Sequence, residues 1–192
     1  MATATRPRAK GRPALWGSVA AGIVLALFVA VLATRDSGAT NRSVESPLLG
    51  EPAPALAGES MLDGEAFDLR DAEGRWVLVN FFATWCEPCR KEHPELLRFA
   101  QDHRVADDVR VVSVVFSDEP ADVERYFRDN GGDWPVVDDD EGRIVFNWSV
   151  SGVPESYLVD PDGGVRAKIV GGVDADKLEE LLRRAQGQAV PS

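Results

Sequence analysis

Two cysteines, Cys86 and Cys89, stand with only Glu87 and Pro88 between them, and the 192-residue chain has no others. A bridge between residues this close restricts the unfolded chain little. Disulfide frameworks also use several well-separated cysteines. The value of the pair must therefore lie in its reactivity. The segment Trp76-Val77-Leu78-Val79-Asn80-Phe81-Phe82 ahead of it is a nearly continuous apolar run, the pattern of a strand covered on both faces. A helix is expected to start just after Cys86 and to run to about His103. A thiol at a helix start faces unpaired backbone N–H groups and the positive end of the helix dipole. Both favour thiolate, so the Cys86 pKa should fall below its free value of about 8.5. Cys86 is the expected exposed nucleophile, and Cys89, one helical turn on, the more buried thiol that resolves a mixed disulfide. Pro88 suits the first turn, where its missing N–H is not needed.

Other uses of a C-x-x-C pair fit less well. Zinc wants four ligands, and the remaining candidates, His93 and His103, fall on the same expected helix as the cysteines. Covalent haem attachment needs a histidine after the second cysteine, where the chain has Arg90. No metal is expected, and no cofactor beyond the redox-active pair itself.

The elements that must position the pair can be read around it. Ala55 to Leu69 suggests a short strand pair turning at Asp63-Gly64. Leu96, Leu97, Phe99 and Ala100 give the dithiol helix its apolar face, with Pro94 expected to kink it. Val109 to Phe116 reads as a second buried strand. A helix follows, capped near Ser117 or Asp118 with Pro120 in its first turn, and stops at Gly131-Gly132. Trp134 to Val137 suggests a short strand and Ile144 to Trp148 a short helix. Ser156–Val159 and Val165–Val170 form an expected hairpin around Pro161-Asp162-Gly163-Gly164, before a last amphipathic helix from about Asp174 to Ala185. This order implies an α/β fold with a central mixed sheet flanked by helices.

Charge and hydropathy divide the chain. Residues 1–35 carry five basic side chains and no acid, whereas the remaining 157 carry a net charge of −16. Such an acidic body repels nucleic acid and anionic lipid, so neither is a plausible ligand. From Ala14 to Thr34 no residue is charged, and 21 residues of helix would span about 30 Å of hydrocarbon. The expected organisation is a cytoplasmic basic segment (1–13), an uncleaved transmembrane signal anchor (14–34), a polar linker (35–54), an extracytoplasmic folded domain (55–187) and a tail (188–192). A cleaved signal peptide is the rival reading of residues 14–34.

Asn80-Phe81-Phe82-Ala83-Thr84-Trp85-Cys86-Glu87-Pro88-Cys89-Arg90-Lys91-Glu92, followed by Gly152-Val153-Pro154-Glu155, resembles the thioredoxin-like reductases of cytochrome c maturation, the membrane-anchored ResA/TlpA/CcmG type, over roughly Glu51 to Gln186. The resemblance implies a thioredoxin-like fold in which Ser117 to Trp148 is an extra insert between the dithiol helix and the cis-proline strand. It implies that Pro154 is that cis-proline, with Val153 offering its backbone to an incoming peptide. Trp85, Glu87 and Pro88 would form the rest of the groove. Thioredoxins proper carry a buried Asp six residues before the first cysteine, and Asn80 stands there in this chain. Proton transfer to the resolving thiol must come from elsewhere. Glu92, three residues after Cys89, and Glu155, after Pro154, are the two candidate acids.

The implied function is an extracytoplasmic thiol-disulfide oxidoreductase. It would reduce disulfides in exported proteins such as apocytochrome c and be recharged by a membrane electron-donor protein. An oxidase or editor of exported thiols is the alternative within the enzymes. A peroxidase fits less well, because Thr84 lies two residues before Cys86 rather than three. Outside the enzymes, a membrane-tethered peptide-binding module or chaperone would use the groove without redox turnover.

Overall fold

The computed structural model describes residues 42–139 and 141–187. The expected basic segment, the membrane span at 14–34 and the tail at 188–192 lie outside them. Among the described residues no helix is long and apolar enough to cross a membrane.

The elements in chain order are β1 (Arg42–Ser43), β2 (Ala57–Glu59), β3 (Ala66–Asp68), a single 3-10 turn (Leu69–Ala72), β4 (Trp76–Phe82), α1 (Glu87–His103), β5 (Val109–Val115), α2 (Pro120–Asn130), β6 (Val136–Val137), α3 (Arg143–Asn147), β7 (Glu155–Val159), β8 (Val165–Val170) and α4 (Ala175–Ala185). Six strands form one sheet in the order β1-β8-β7-β4-β5-β6. β4, β5 and β6 run parallel, β7 pairs antiparallel with β4, β8 antiparallel with β7, and β1 antiparallel with β8 at the far edge. The sheet is mixed and central, as the order of apolar runs implies.

β4 lies in the middle of the sheet, and all seven of its residues are buried. That is why its sequence shows almost no alternation: both faces are covered. Leu78 and Phe82 point to one side, with Leu96 and Phe99 of α1, Phe127 of α2 and Leu178 and Leu182 of α4. Val77, Val79 and Phe81 point to the other, with Leu56, Phe67, Trp148 and Tyr157. Each side of the sheet thus has its own core.

Several details depart from the sequence reading. The stretch expected as a linker over 35–54 is bound to the domain from residue 42 on. Arg42 and Ser43 pair with Val170 and Ile169, the Gly50 N–H donates to the Val165 carbonyl at 2.8 Å, and the Ala53 N–H donates to the Gly163 carbonyl at 2.8 Å. A polar segment without periodicity can still satisfy a sheet edge through its backbone alone. Helix α2 is not capped by Ser117 or Asp118: its N-cap is Glu119, with no side-chain capping bond, and Pro120 opens the first turn. Pro94 lies inside α1, where the sequence places it. The hairpin turn at Gly64, with φ +75°, and the stop of α2 at Gly131, with φ +82°, match expectation.

Candidate active site

The chain leaves β4 at Phe82, turns through Ala83, Thr84 and Trp85, and enters α1 at Glu87. Cys86 is the N-cap of α1, and its Sγ accepts the Cys89 N–H at 3.2 Å. Sulfur therefore occupies the place where capping oxygens usually sit, facing the positive end of the helix. Pro88 lies within the first turn. Cys86 and Cys89 are joined as a disulfide.

Cys86 is not the exposed member of the pair. The two side chains are 5% and 4% exposed and belong to the core on the α1 side of the sheet. The reason is geometric: capping turns the Cys86 sulfur back along the helix toward Cys89. Trp85 takes the exposed position, at 57%.

The turn carrying Trp85 is tied to the loop after β5. The Trp85 indole N–H donates to the Ser117 carbonyl at 3.0 Å, and the Thr84 N–H donates to Asp118 Oδ2 at 2.5 Å. Asp118 Oδ1 also accepts the Glu119 N–H at 2.9 Å. Sequence reasoning misses Asp118 as part of the site, because it lies 34 positions from Thr84 and reads as a helix cap. Beside this tie opens a groove of about 810 Å³, walled by Trp85, Asp118 and Glu119 on one side and Asp139, Glu141 and Val145 on the other. The stretch Ser117 to Trp148 thus lines most of the groove, and the dithiol turn adds Thr84 and Trp85.

Behind the dithiol lies a buried polar group. Glu92, one turn beyond Cys89 on α1, is 3% exposed. Its Oε1 accepts the Asn80 amide at 2.9 Å and its Oε2 accepts the Val173 N–H at 3.1 Å. The same Asn80 amide nitrogen donates to Ser156 Oγ at 3.1 Å. Burial pushes the Glu92 carboxyl up to about 8, against the two hydrogen bonds that favour its charged form. Glu92 is therefore no solvated helix acid but a proton-holding group close to neutrality. Asn80 survives in a strand buried on both faces because its amide nitrogen has two acceptors.

Val153-Pro154 is a cis peptide at the start of β7. Phe81 of β4 pairs with Glu155 of β7. Pro154 therefore lies beside the end of β4, where the chain turns toward Cys86. Val153 is half-buried and packs against both cores. Glu87 is exposed on the first turn of α1 and bridges Lys91 at 2.9 Å, which holds its carboxyl below the usual range.

Glu155 is not brought to the dithiol. Strand alternation puts it with Tyr157 on the opposite face from Asn80, Ser156 and Glu92. It is 1% exposed; its Oε2 lies 2.9 Å from Lys168 Nζ, and its Oε1 accepts the Ser151 hydroxyl at 2.6 Å. The expectation that it stands beside Glu92 as a second acid is corrected accordingly. The histidines are helix residues in packed surroundings. His93 contacts the Gly131 carbonyl at 2.8 Å among the rings of Tyr126, Phe127 and Trp134, and burial lowers its pKa. His103 lies between Asp108 and Glu179.

Residues 49–168 match the AhpC/TSA family. The chain is similar to the thiol:disulfide interchange protein DsbE of Allochromatium vinosum, with 32% identity over 173 residues covering 86% of this chain and 93% of that one. It is similar to the thiol-disulfide oxidoreductase ResA of Bacillus subtilis, with 31% identity over 161 residues covering 84% and 88% of the two chains. Among solved structures, the thioredoxin domain of a thiol-disulfide oxidoreductase from Bacteroides vulgatus superposes with a TM-score of 0.63 at 29% identity, covering 70% of this chain and 98% of that domain.

Proposed function

The chain belongs to the AhpC/TSA family and to its thioredoxin-like thiol-disulfide oxidoreductases, and on that premise we propose that it reduces disulfides in exported proteins, apocytochrome c among them. One observation carries the reading: a disulfide that caps α1 directly behind a buried strand, with the near-neutral acid Glu92 one turn further in.

In the reduced enzyme the Cys86 thiolate attacks one sulfur of the substrate disulfide. A mixed disulfide forms and the substrate's other sulfur leaves as thiolate. The Cys89 thiol gives its proton to Glu92 and attacks Cys86, which releases the second substrate sulfur and leaves the enzyme disulfide. Two electrons pass from enzyme to substrate. A donor dithiol on a membrane protein returns them by the reverse exchange. Trp85, Glu87, Pro88, Val153 and Pro154 frame the approach, with the Val153 backbone offered to an extended peptide. The apolar run at 14–34, flanked by basic residues on its amino-terminal side, supports a single membrane anchor with the catalytic domain outside the cytoplasm.

Trapping tests this directly. A Cys89→Ala variant keeps the attacking sulfur and loses the resolving one, so substrates should accumulate as mixed disulfides on Cys86. Recovery of apocytochromes supports the substrate named here, whereas recovery of many unrelated exported proteins replaces it with general disulfide editing. The direction of transfer is read from the reduction potential. A value near about −270 mV fits a reductase, and one near about −120 mV would make the chain an oxidant.

A further inference from the structure

Three buried side chains on the far face of the sheet converge on the segment that leads into Val153-Pro154. The Tyr157 hydroxyl donates to the Trp148 carbonyl. Lys168 Nζ donates to the Ser149 carbonyl at 2.9 Å, and Glu155 Oε1 accepts both the Ser151 N–H at 3.1 Å and its hydroxyl at 2.6 Å. Glu155 and Lys168 are themselves an ion pair at 2.9 Å, 1% and 7% exposed, and the ammonium lies 5.2 Å from the centre of the Tyr157 ring. Ser149 is held at φ +52°, a conformation that non-glycine residues rarely adopt.

A charge pair this deeply buried is a weak source of stability, since desolvation offsets most of the attraction. Here the pair spends its remaining bonds on successive residues of one loop rather than on the core. We propose that Glu155 and Lys168 are positioning residues for substrate. Working through Ser149 and Ser151, they fix the loop that presents Val153 to an extended peptide, and they take no part in sulfur or proton transfer. This rests on the redox reading above and names what that site recognises, a peptide backbone laid against Val153 in the loop ahead of β7.

The test compares two disulfides reduced by the pre-reduced full chain. One is a synthetic peptide closed by an internal disulfide; the other is hydroxyethyl disulfide, which has no backbone to pair. Glu155→Gln combined with Lys168→Met removes both charges together and leaves neither buried alone. Ser151→Ala, at an exposed position, removes one loop bond and leaves the sheet intact should the double variant fail to fold. The expected result is a loss of about tenfold in the peptide rate for the double variant, and a smaller one for Ser151→Ala, with the hydroxyethyl disulfide rate and the alkylation midpoint of Cys86 unchanged. Equal losses on both disulfides, or no loss on the peptide, would overturn the assignment. A wild-type chain inert toward both would instead refute the redox reading beneath it.

Discussion

The Asn80 amide donates to the Glu92 carboxyl at 2.9 Å from the middle of a strand with no exposed residue. This contact holds a titratable group one turn below the dithiol, in surroundings that keep its pKa at about 8. Asn80 cannot itself exchange a proton, and its amide orients a carboxyl that can.

Stability should fall as pH rises past the ordinary carboxyl range. The folded chain keeps its Glu92 proton up to about pH 8, whereas the unfolded chain loses it near 4.5. Between those values folding binds a proton, so this group's contribution is full below about 4.5 and is lost through about 8, with a slope of up to about 1.4 kcal/mol per pH unit. Glu92→Gln should flatten that slope and raise the relative stability at pH 9, as read by urea unfolding at several pH values.

Kinetics should show the same group. Without a proton acceptor for Cys89, the mixed disulfide resolves slowly, and Glu92→Gln should cut turnover by about a hundredfold. The rise of kcat through about pH 8 should disappear with it. An unchanged profile would assign the rise to another group.

Asp118 should act on the dithiol turn in two separable ways. Asp118→Ala removes the acceptor of the Thr84 N–H and should lower stability by about 1.5–3 kcal/mol, the usual worth of a bond to a charged group. Asp118→Asn keeps an acceptor but removes a negative charge bonded to the turn two residues before Cys86. The pH midpoint of Cys86 alkylation should then move down, by up to about one unit.

Gly132→Ala tests the packing that carries the insert. Gly132 stands at φ +115°, and a Cβ there would meet the Phe127 ring at 2.9 Å and Trp134 at 3.3 Å. Backbone strain and overpacking should together cost about 2 kcal/mol or more, measurable as a lower Tm.

The place of the cysteines is legible in the amino-acid sequence alone. The Trp76–Phe82 run and the apolar stripe of α1 locate them, because buried strands and amphipathic helices write their surroundings into their periodicity. Glu92 is legible for the same reason: three residues after Cys89 is the same helix face. Asp118 and Lys168 are not, since they meet Thr84 and Glu155 only once the sheet assembles. β1 leaves no trace either, because two residues bonding through their backbone need no side-chain pattern. Reading Glu155 from its neighbour Pro154 puts it on the wrong face. Its alternation with Tyr157, matched to Phe81 across the ladder, carries the signal that it turns away from sulfur.

That alternation makes the sheet a partition. On β7 Ser156 faces Asn80 and the acid behind the cysteines, whereas Glu155 and Tyr157 face the other way and bond the loop ahead of Pro154. A lineage could therefore revise its choice of clients by substitutions on one side while the redox machinery on the other stays as it was.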